Sequence, residues 1–139
     1  MLSQTAEYAL RAVLAIAADA KSQPLGARRL ARKLGMPQNY LSKTLYQLTR
    51  AGILESSRGK LGGFRLARPA DRICLLDIVG RFDDLSARQF CIMGRPVCSD
   101  QTACAAHERW KVVSERVAGF FRETTVADLV RTGQPAAGR

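Results

Sequence analysis

From Ala6 onward the apolar residues Ala6, Ala9, Leu10, Val13, Leu14 and Ala17 recur three or four positions apart, which lays one apolar stripe along an α-helix. Ser3 stands just ahead of the stripe, where a hydroxyl can accept a hydrogen bond from an amide that the first turn leaves unpaired. A shorter stripe follows in Ala27, Leu30, Ala31 and Leu34, with Arg28, Arg29, Arg32 and Lys33 off it and Gly35 placed to stop it. Pro37 has its φ preset for a first helical turn and loses nothing there by lacking an N–H. A third helix is therefore predicted to begin near it and to run through Leu41, Leu45 and Leu48 to Gly52. Two helices separated by so tight a turn predict a helix-turn-helix.

After Gly52 the period changes from about 3.6 to 2. Ile53–Ser57 reads as a short strand, and Phe64-Arg65-Leu66-Ala67 alternates apolar and outward residues before Pro69. Between them Arg58-Gly59-Lys60-Leu61-Gly62-Gly63 is rich enough in glycine to reverse tightly, so a hairpin with a basic tip is predicted. Directly after a helix-turn-helix, such a hairpin is a wing. Ile73, Leu75, Leu76, Ile78 and Val79 then predict a short helix returning to the core, with Cys74 packed among them as a small hydrophobe. From Asp83 to Cys104 the apolar periodicity lapses, and a compact protein rarely keeps so long an irregular segment without a functional reason. Periodicity resumes in Trp110, Val113, Val117, Phe120 and Thr124, the seam of a long helix that packs lengthwise on another. So small a chain has little else to cover that seam, so a partner helix across a two-fold axis is expected. Thr125 followed by Asp128 looks like the cap of a short final helix, and residues after Gly133 are expected to be disordered.

The chain has 139 residues, one ordinary domain with an appended helix at most, and a net charge of +10. The charge is lopsided. Residues 1–73 carry 13 Lys or Arg against 4 acids, and residues 74–139 carry 9 against 8. Charge concentrated in one half points to a defined surface that meets phosphate or anionic lipid, with nucleic acid as the leading partner. No apolar run approaches the ~18 to 20 residues that span a bilayer and no signal-peptide pattern opens the chain, so a soluble, cytoplasmic protein with no membrane partner is expected. A B-DNA major groove admits one α-helix, and the narrower minor groove admits a loop with Arg at its tip. The third helix is the natural reader. Gln38, Asn39, Ser42 and Lys43 lie off its apolar stripe and can bond base edges or phosphates, while Tyr40 can serve phosphate or core. Arg58, Lys60 and Arg65 on the hairpin, and Arg28 and Arg29 on the second helix, are candidates for the backbone or minor groove.

The irregular segment carries Cys91, Cys98 and Cys104, with six and five residues between successive cysteines, and His107 follows after two more. Three thiols and an imidazole are soft or borderline donors: thiolates suit zinc, copper(I) and iron-sulfur clusters and imidazole suits zinc and iron, so the set fits such a site better than calcium or magnesium. Disulfides are disfavoured in a cytosolic chain and would leave one of the three unpaired. Spacing alone does not choose between zinc and a cluster, although structural zinc sites usually include a pair of cysteines about two to four residues apart, which is absent here.

The chain resembles the family of iron-sulfur winged-helix regulators that includes IscR, NsrR and RirA. The resemblance covers nearly the whole length. It is carried by Thr5-Ala6-Glu7-Tyr8-Ala9-Leu10-Arg11, by Tyr40-Leu41-Ser42-Lys43, by Arg58-Gly59-Lys60-Leu61-Gly62-Gly63-Phe64 and by the three cysteines. It implies a homodimer that binds a partly palindromic double-stranded DNA operator as a repressor, with one cluster per subunit just before a long dimerisation helix. Cys104-Ala105-Ala106-His107-Glu108-Arg109-Trp110 is most similar to the IscR branch, which implies His107 as fourth ligand and a [2Fe-2S] cluster ahead of [4Fe-4S]. The NsrR-like pattern instead places an acidic ligand where Glu7 stands, although an i,i+4 ion pair with Arg11 accounts for Glu7 without any metal. One departure is the spacing of Cys91 and Cys98, one residue longer than the five of the IscR and NsrR patterns.

The expected fold is mainly α: a winged helix-turn-helix with a small β-hairpin wing and a long C-terminal dimerisation helix. Its parts are a DNA-binding domain over 1–82, a cysteine-bearing cluster-binding loop over 83–107, the dimerisation helix and short terminal helix over 108–132, and a disordered tail over 133–139. The alternatives are a winged-helix protein with a structural zinc site and a thiol-based redox-sensing regulator without a cluster. An enzyme is not expected. There is no Cys-x-x-Cys pair, no second histidine for a nucleophile-base couple, and no phosphate-cradling glycine loop outside the hairpin.

Overall fold

The computed structural model describes residues 2–19, 21, 23–86 and 91–131. The elements in chain order are α1 (Gln4–Ala18), α2 (Ala27–Leu34), α3 (Gln38–Arg50), β1 (Leu54–Ser57), β2 (Gly63–Leu66), α4 (Leu75–Val79), α5 (His107–Glu123) and α6 (Val126–Arg131), with single 3-10 turns at Ala70–Arg72 and Asp100–Thr102. The mainly helical winged-helix fold expected from the apolar pattern is the one observed.

Ser3 caps α1 as its position predicts, its Oγ accepting from the Ala6 amide at 3.2 Å. α1 is the central helix, packed on α2, α3, α4 and α6. Its buried face, Ala6, Ala9, Ala12, Val13 and Ile16, is mostly small, and all of it but Ala6 shares one core with the larger Leu41, Leu45 and Leu48 of α3, for which it leaves room. Burying each such leucine contributes about 1.5 to 3 kcal/mol. Pro37 is the residue before α3 rather than its first turn, with φ −60° and ψ 126°, and the helix starts at Gln38. The shift is physically small, because a missing N–H is tolerated equally at the cap.

The wing is an antiparallel pair with Leu54 opposite Leu66, Glu55 opposite Arg65, Ser56 opposite Phe64 and Ser57 opposite Gly63. An anchor absent from the predicted elements holds it to the body. Leu25 exchanges both backbone hydrogen bonds with Phe64, at 2.9 and 2.8 Å, which clamps the hairpin to the chain just before α2. Gly63 makes that approach possible, since a Cβ there would lie 2.4 Å from the Leu25 carbonyl carbon, at a φ of +153° that side chains rarely adopt.

A second, smaller core gathers Ala6, Leu75, Val79, Leu85 and Phe121 and seats α5 against α4. The C-terminal part is stitched to the winged-helix half through two backbone bonds, Leu75 N–H to the Thr124 carbonyl and Val126 N–H to the Ile73 carbonyl, both 2.9 Å. Thr125 and Asp128 form the reciprocal cap anticipated for α6: Asp128 Oδ2 accepts from the Thr125 amide at 2.9 Å, and Thr125 Oγ1 from the Asp128 amide at 3.2 Å. The tail expected to be disordered lies outside the described residues, as do residues 87–90 of the cysteine segment.

The face that α5 buries against its own chain is His107, Ser114, Ala118 and Phe121, offset from the predicted seam. Of that seam, Val113 and Phe120 are about half exposed, at 47% and 51%; Trp110 and Thr124 are partly buried, and Val117 packs on the second core.

Candidate nucleic-acid interface and thiol site

On α3, Gln38, Asn39 and Lys43 are exposed and Ser42 is half-buried, all off the Leu41, Leu45, Leu48 face. Tyr40 is committed elsewhere as well: its hydroxyl bonds the Thr5 hydroxyl and its ring stands edge-on to Tyr8, with centroids 5.5 Å apart, so it ties the first turn of α3 to α1. Arg58 and Lys60 are exposed at the wing tip. Arg65 faces Glu55 across the hairpin at 3.6 Å, which partly neutralises it. Arg28 and Arg29 line an open cleft of about 950 Å³ between α2 and the wing, together with Lys21, Arg32 and Lys60 and with no acidic residue among its walls. Five cations around one opening raise the local potential for a polyanion more than scattered charges would. Lys21 and Arg32 were not among the DNA contacts expected from the sequence. Arg32 had a usable signal, since it follows Arg28 by four positions on one helical face; Lys21 had none, because only the fold brings it to the wing.

The thiol site is built by the start of α5 and the loop ahead of it. Cys91, Cys98 and Cys104 are free and partly buried. Cys98 is their hub. Its Sγ lies 3.3 Å from His107 Nδ1, it hydrogen-bonds the Cys91 thiol, and it lies within electrostatic reach of Cys104. Burial first, and then the neighbouring Cys91 thiol, push the Cys98 thiol up from its ordinary value. Cys91 is held below it, chiefly by the Arg95 backbone N–H. The Arg95 side chain reaches across the loop to the Thr102 carbonyl at 2.8 Å.

His107 opens α5 with 4% of its surface exposed, and its backbone N–H donates to the Cys104 carbonyl at 2.9 Å. Its Nε2 stands 2.8 Å from Asp100 Oδ1, and Lys111, one turn further along α5, donates to both Asp100 oxygens at 3.1 and 3.4 Å. The His107 contact first, and then the lysine, hold the Asp100 carboxyl below the usual aspartate range. Asp100 and Lys111 were not singled out from the sequence: Lys111 shares a helical face with His107, whereas Asp100 sits in a segment with no periodicity to interpret.

Two expectations around this site resolve differently. Cys74 stands apart from the other thiols, at the start of α4, where its backbone N–H donates to Asp77 Oδ2 at 3.0 Å; burial raises its thiol, but it is only partly buried and caps the helix rather than joining either core. Glu7 is exposed on the first turn of α1, but among the described residues no ion pair joins it to Arg11. Arg11 Nη2 donates instead to the Leu34 carbonyl at 3.1 Å, one of the carbonyls that the end of α2 leaves without a helical partner.

The fold and the basic face define a winged-helix DNA-binding protein. A family model for Rrf2, described as iron-dependent transcriptional regulators, matches residues 2–132, and the chain belongs to that family. It is a transcriptional regulator and not an enzyme. The regulator IscR of Vibrio atlanticus is 27% identical over 133 residues, which cover 96% of this chain and 76% of that protein. CymR, the global cysteine regulator of B. subtilis, shares the fold with a TM-score of 0.81 at 22% identity, over 95% of this chain and 97% of CymR. IscR of T. potens shares it with a TM-score of 0.75 at 22% identity, over 99% and 90%. Among the described residues no helix is long and apolar enough to cross a membrane.

Proposed function

We propose that this protein is a cytoplasmic, homodimeric repressor that binds a partly palindromic DNA operator and senses its signal through an iron-sulfur cluster, [2Fe-2S] ahead of [4Fe-4S]. Cys91, Cys98, Cys104 and His107 hold the cluster, with Glu7 as the alternative fourth ligand. The observation that carries the reading is the Cys98 thiol 3.3 Å from Nδ1 of a buried histidine whose other ring nitrogen is engaged by a carboxylate. That is how metal-ligating histidines are commonly oriented. Among the described residues the donor group that lies within 4.8 Å is Asp100, His107 and Glu108; the three thiols stand farther apart, so taking up a cluster would draw the loop together.

When bound, such a cluster supplies a centre that oxygen or nitric oxide alters and that iron shortage removes. The residues around it supply the coupling. The loop is held by few backbone bonds, among them Gly94 N–H to the Cys91 carbonyl and Thr102 N–H to the Ser99 carbonyl, so gaining ligands orders it at the cost of conformational freedom. The backbone carbonyl of Cys104, the last of the three cysteines, accepts from the N–H of His107, the first residue of α5. α5 offers Val113 and Phe120, flanked by Trp110, Val117 and Thr124, to a second copy, which sets the spacing of the two α3 helices on DNA. Gln38, Asn39, Ser42 and Lys43 read the major groove; Arg58, Lys60 and Arg65 engage backbone or minor groove; and Arg28 and Arg29 meet phosphates. Tyr40 positions α3.

Anaerobic reconstitution, with iron, sulfide and zinc counted, followed by titration of a duplex selected from a random pool, tests the reading. The holo and apo forms are expected to differ in affinity by about 5- to 150-fold. Failure to take up iron and sulfide, or equal affinity of the two forms, overturns the sensing role while leaving DNA binding intact. Light scattering of Val113→Asp tests the dimer, and an unchanged mass removes α5 as the interface. Thiol sensing without a cluster is a second reading, favoured by the Cys91–Cys98 contact; it requires an oxidant response in iron-free protein that Cys91→Ala abolishes.

A further inference from the structure

We infer that Asp100 is the positioning residue of the thiol site: by accepting the Nε2 proton of His107 it fixes the ring so that the Nδ1 lone pair is presented to the thiols. What the lone pair finally meets rests on the cluster reading above; the ring's orientation does not. A neutral imidazole carries one N–H and one lone pair, and a carboxylate only accepts. With Nε2 at 2.8 Å from Asp100 Oδ1, the proton belongs on Nε2, and Nδ1 is left as the acceptor facing the Cys98 thiol at 3.3 Å. The opposite tautomer would set two lone pairs against each other on the Asp100 side. His107 is 4% exposed, so water is poorly placed to substitute for either partner.

Asp100 does not hold itself in place. Its side chain is 72% exposed, and an exposed carboxylate with nothing behind it would turn into solvent. Lys111 prevents this by engaging both oxygens, from the same face of α5 as His107 and one turn on. Cys98, His107, Asp100 and Lys111 thus form a single chain of contacts from the thiols outward. A ligand oriented in this way is committed to Nδ1, and the carboxylate behind it raises its basicity toward a metal.

The chain has a single histidine, so histidine-selective 15N labelling gives one imidazole with no assignment problem. In iron-free protein, at a pH high enough that the ring is seen to be neutral, wild type is expected to show protonated Nε2 with a ring proton that exchanges slowly with water, and unprotonated Nδ1. Asp100→Ala is expected to speed that exchange and to populate the Nδ1–H tautomer. Asp100→Asn, which keeps an acceptor oxygen, restores the wild-type pattern. Thermal melting confirms that each variant stays folded. A wild-type ring protonated on Nδ1, or an Asp100→Ala ring identical to wild type, overturns the inference. After reconstitution, Asp100→Ala is expected to retain metal about 10- to 100-fold more weakly, and 15N hyperfine coupling is expected from Nδ1; coupling from Nε2 overturns the inference. If no iron and sulfide bind but the tautomer pattern holds, the cluster reading falls and the positioning role stands.

Discussion

The wing and the thiol loop are both exposed, glycine-bearing reversals with little core of their own, yet they are held in different ways. The wing is fixed by backbone: four paired positions between β1 and β2, and a clamp on Leu25 that only Gly63 permits. It is shaped before it meets any DNA. The loop from Cys91 to Ala106 is fixed mainly by side chains: thiol on imidazole, imidazole on carboxylate, Arg95 on a carbonyl. Backbone pairing holds the wing without any ligand, whereas a lattice of thiol, imidazole and carboxylate side chains rearranges if those atoms take new partners. Under the proposed function the difference would separate a surface that reads from a segment that responds.

Glycine replacement is the sharpest way to break the comparison. Gly63→Val drives a side chain into the Leu25 backbone and is expected to cost about 1 to 3 kcal/mol of stability, with operator binding falling as the wing leaves its seat. Gly94→Ala, also at positive φ but with open space around it, is expected to cost less than about 1 kcal/mol in iron-free protein, because the loop can relax. Equal melting shifts in the two variants would mean that wing and loop belong to one cooperative unit.

Arg58→Ala tests the reading surface alone. Removing a phosphate contact is expected to lower the slope of log affinity against log salt by about 1, with no change in iron and sulfide uptake. A slope identical to wild type would take Arg58 off the DNA. The smallest effect belongs to the cap of α6. Hydrogen bonds from the Thr125 backbone and hydroxyl hold Asp128 below its usual value of 3.8, so its ionised form stabilises the fold above that value, and this contribution is lost as pH falls through the lower folded value. Asp128→Asn is therefore expected to melt slightly below wild type at neutral pH, with the gap closing under acid; a constant gap at every pH would assign the effect to shape rather than charge.

The helical frame and the wing were legible in the sequence, and so was the grouping of three cysteines and a histidine as candidates, because those are written in short-range signals: apolar residues at helical spacing from Ala6 to Ala17, leucines through α3, alternation around a Gly-rich turn, and soft side chains in an aperiodic stretch. The caps at Ser3 and at Thr125 with Asp128 were legible for the same reason, since a cap is made by residues three or four apart. The tertiary structure decided everything that joins distant positions. It clamped Phe64 to Leu25, gathered Lys21 and Arg32 to the wing, gave Arg11 to the Leu34 carbonyl rather than to Glu7, and turned α5 so that Ser114 and Ala118 face inward while Val113 and Phe120 face out. It also placed Asp100 and Lys111 behind His107. Such pairings carry no local periodicity, because they arise only when separately folded elements compete for the same unsatisfied hydrogen-bonding groups and the same buried space.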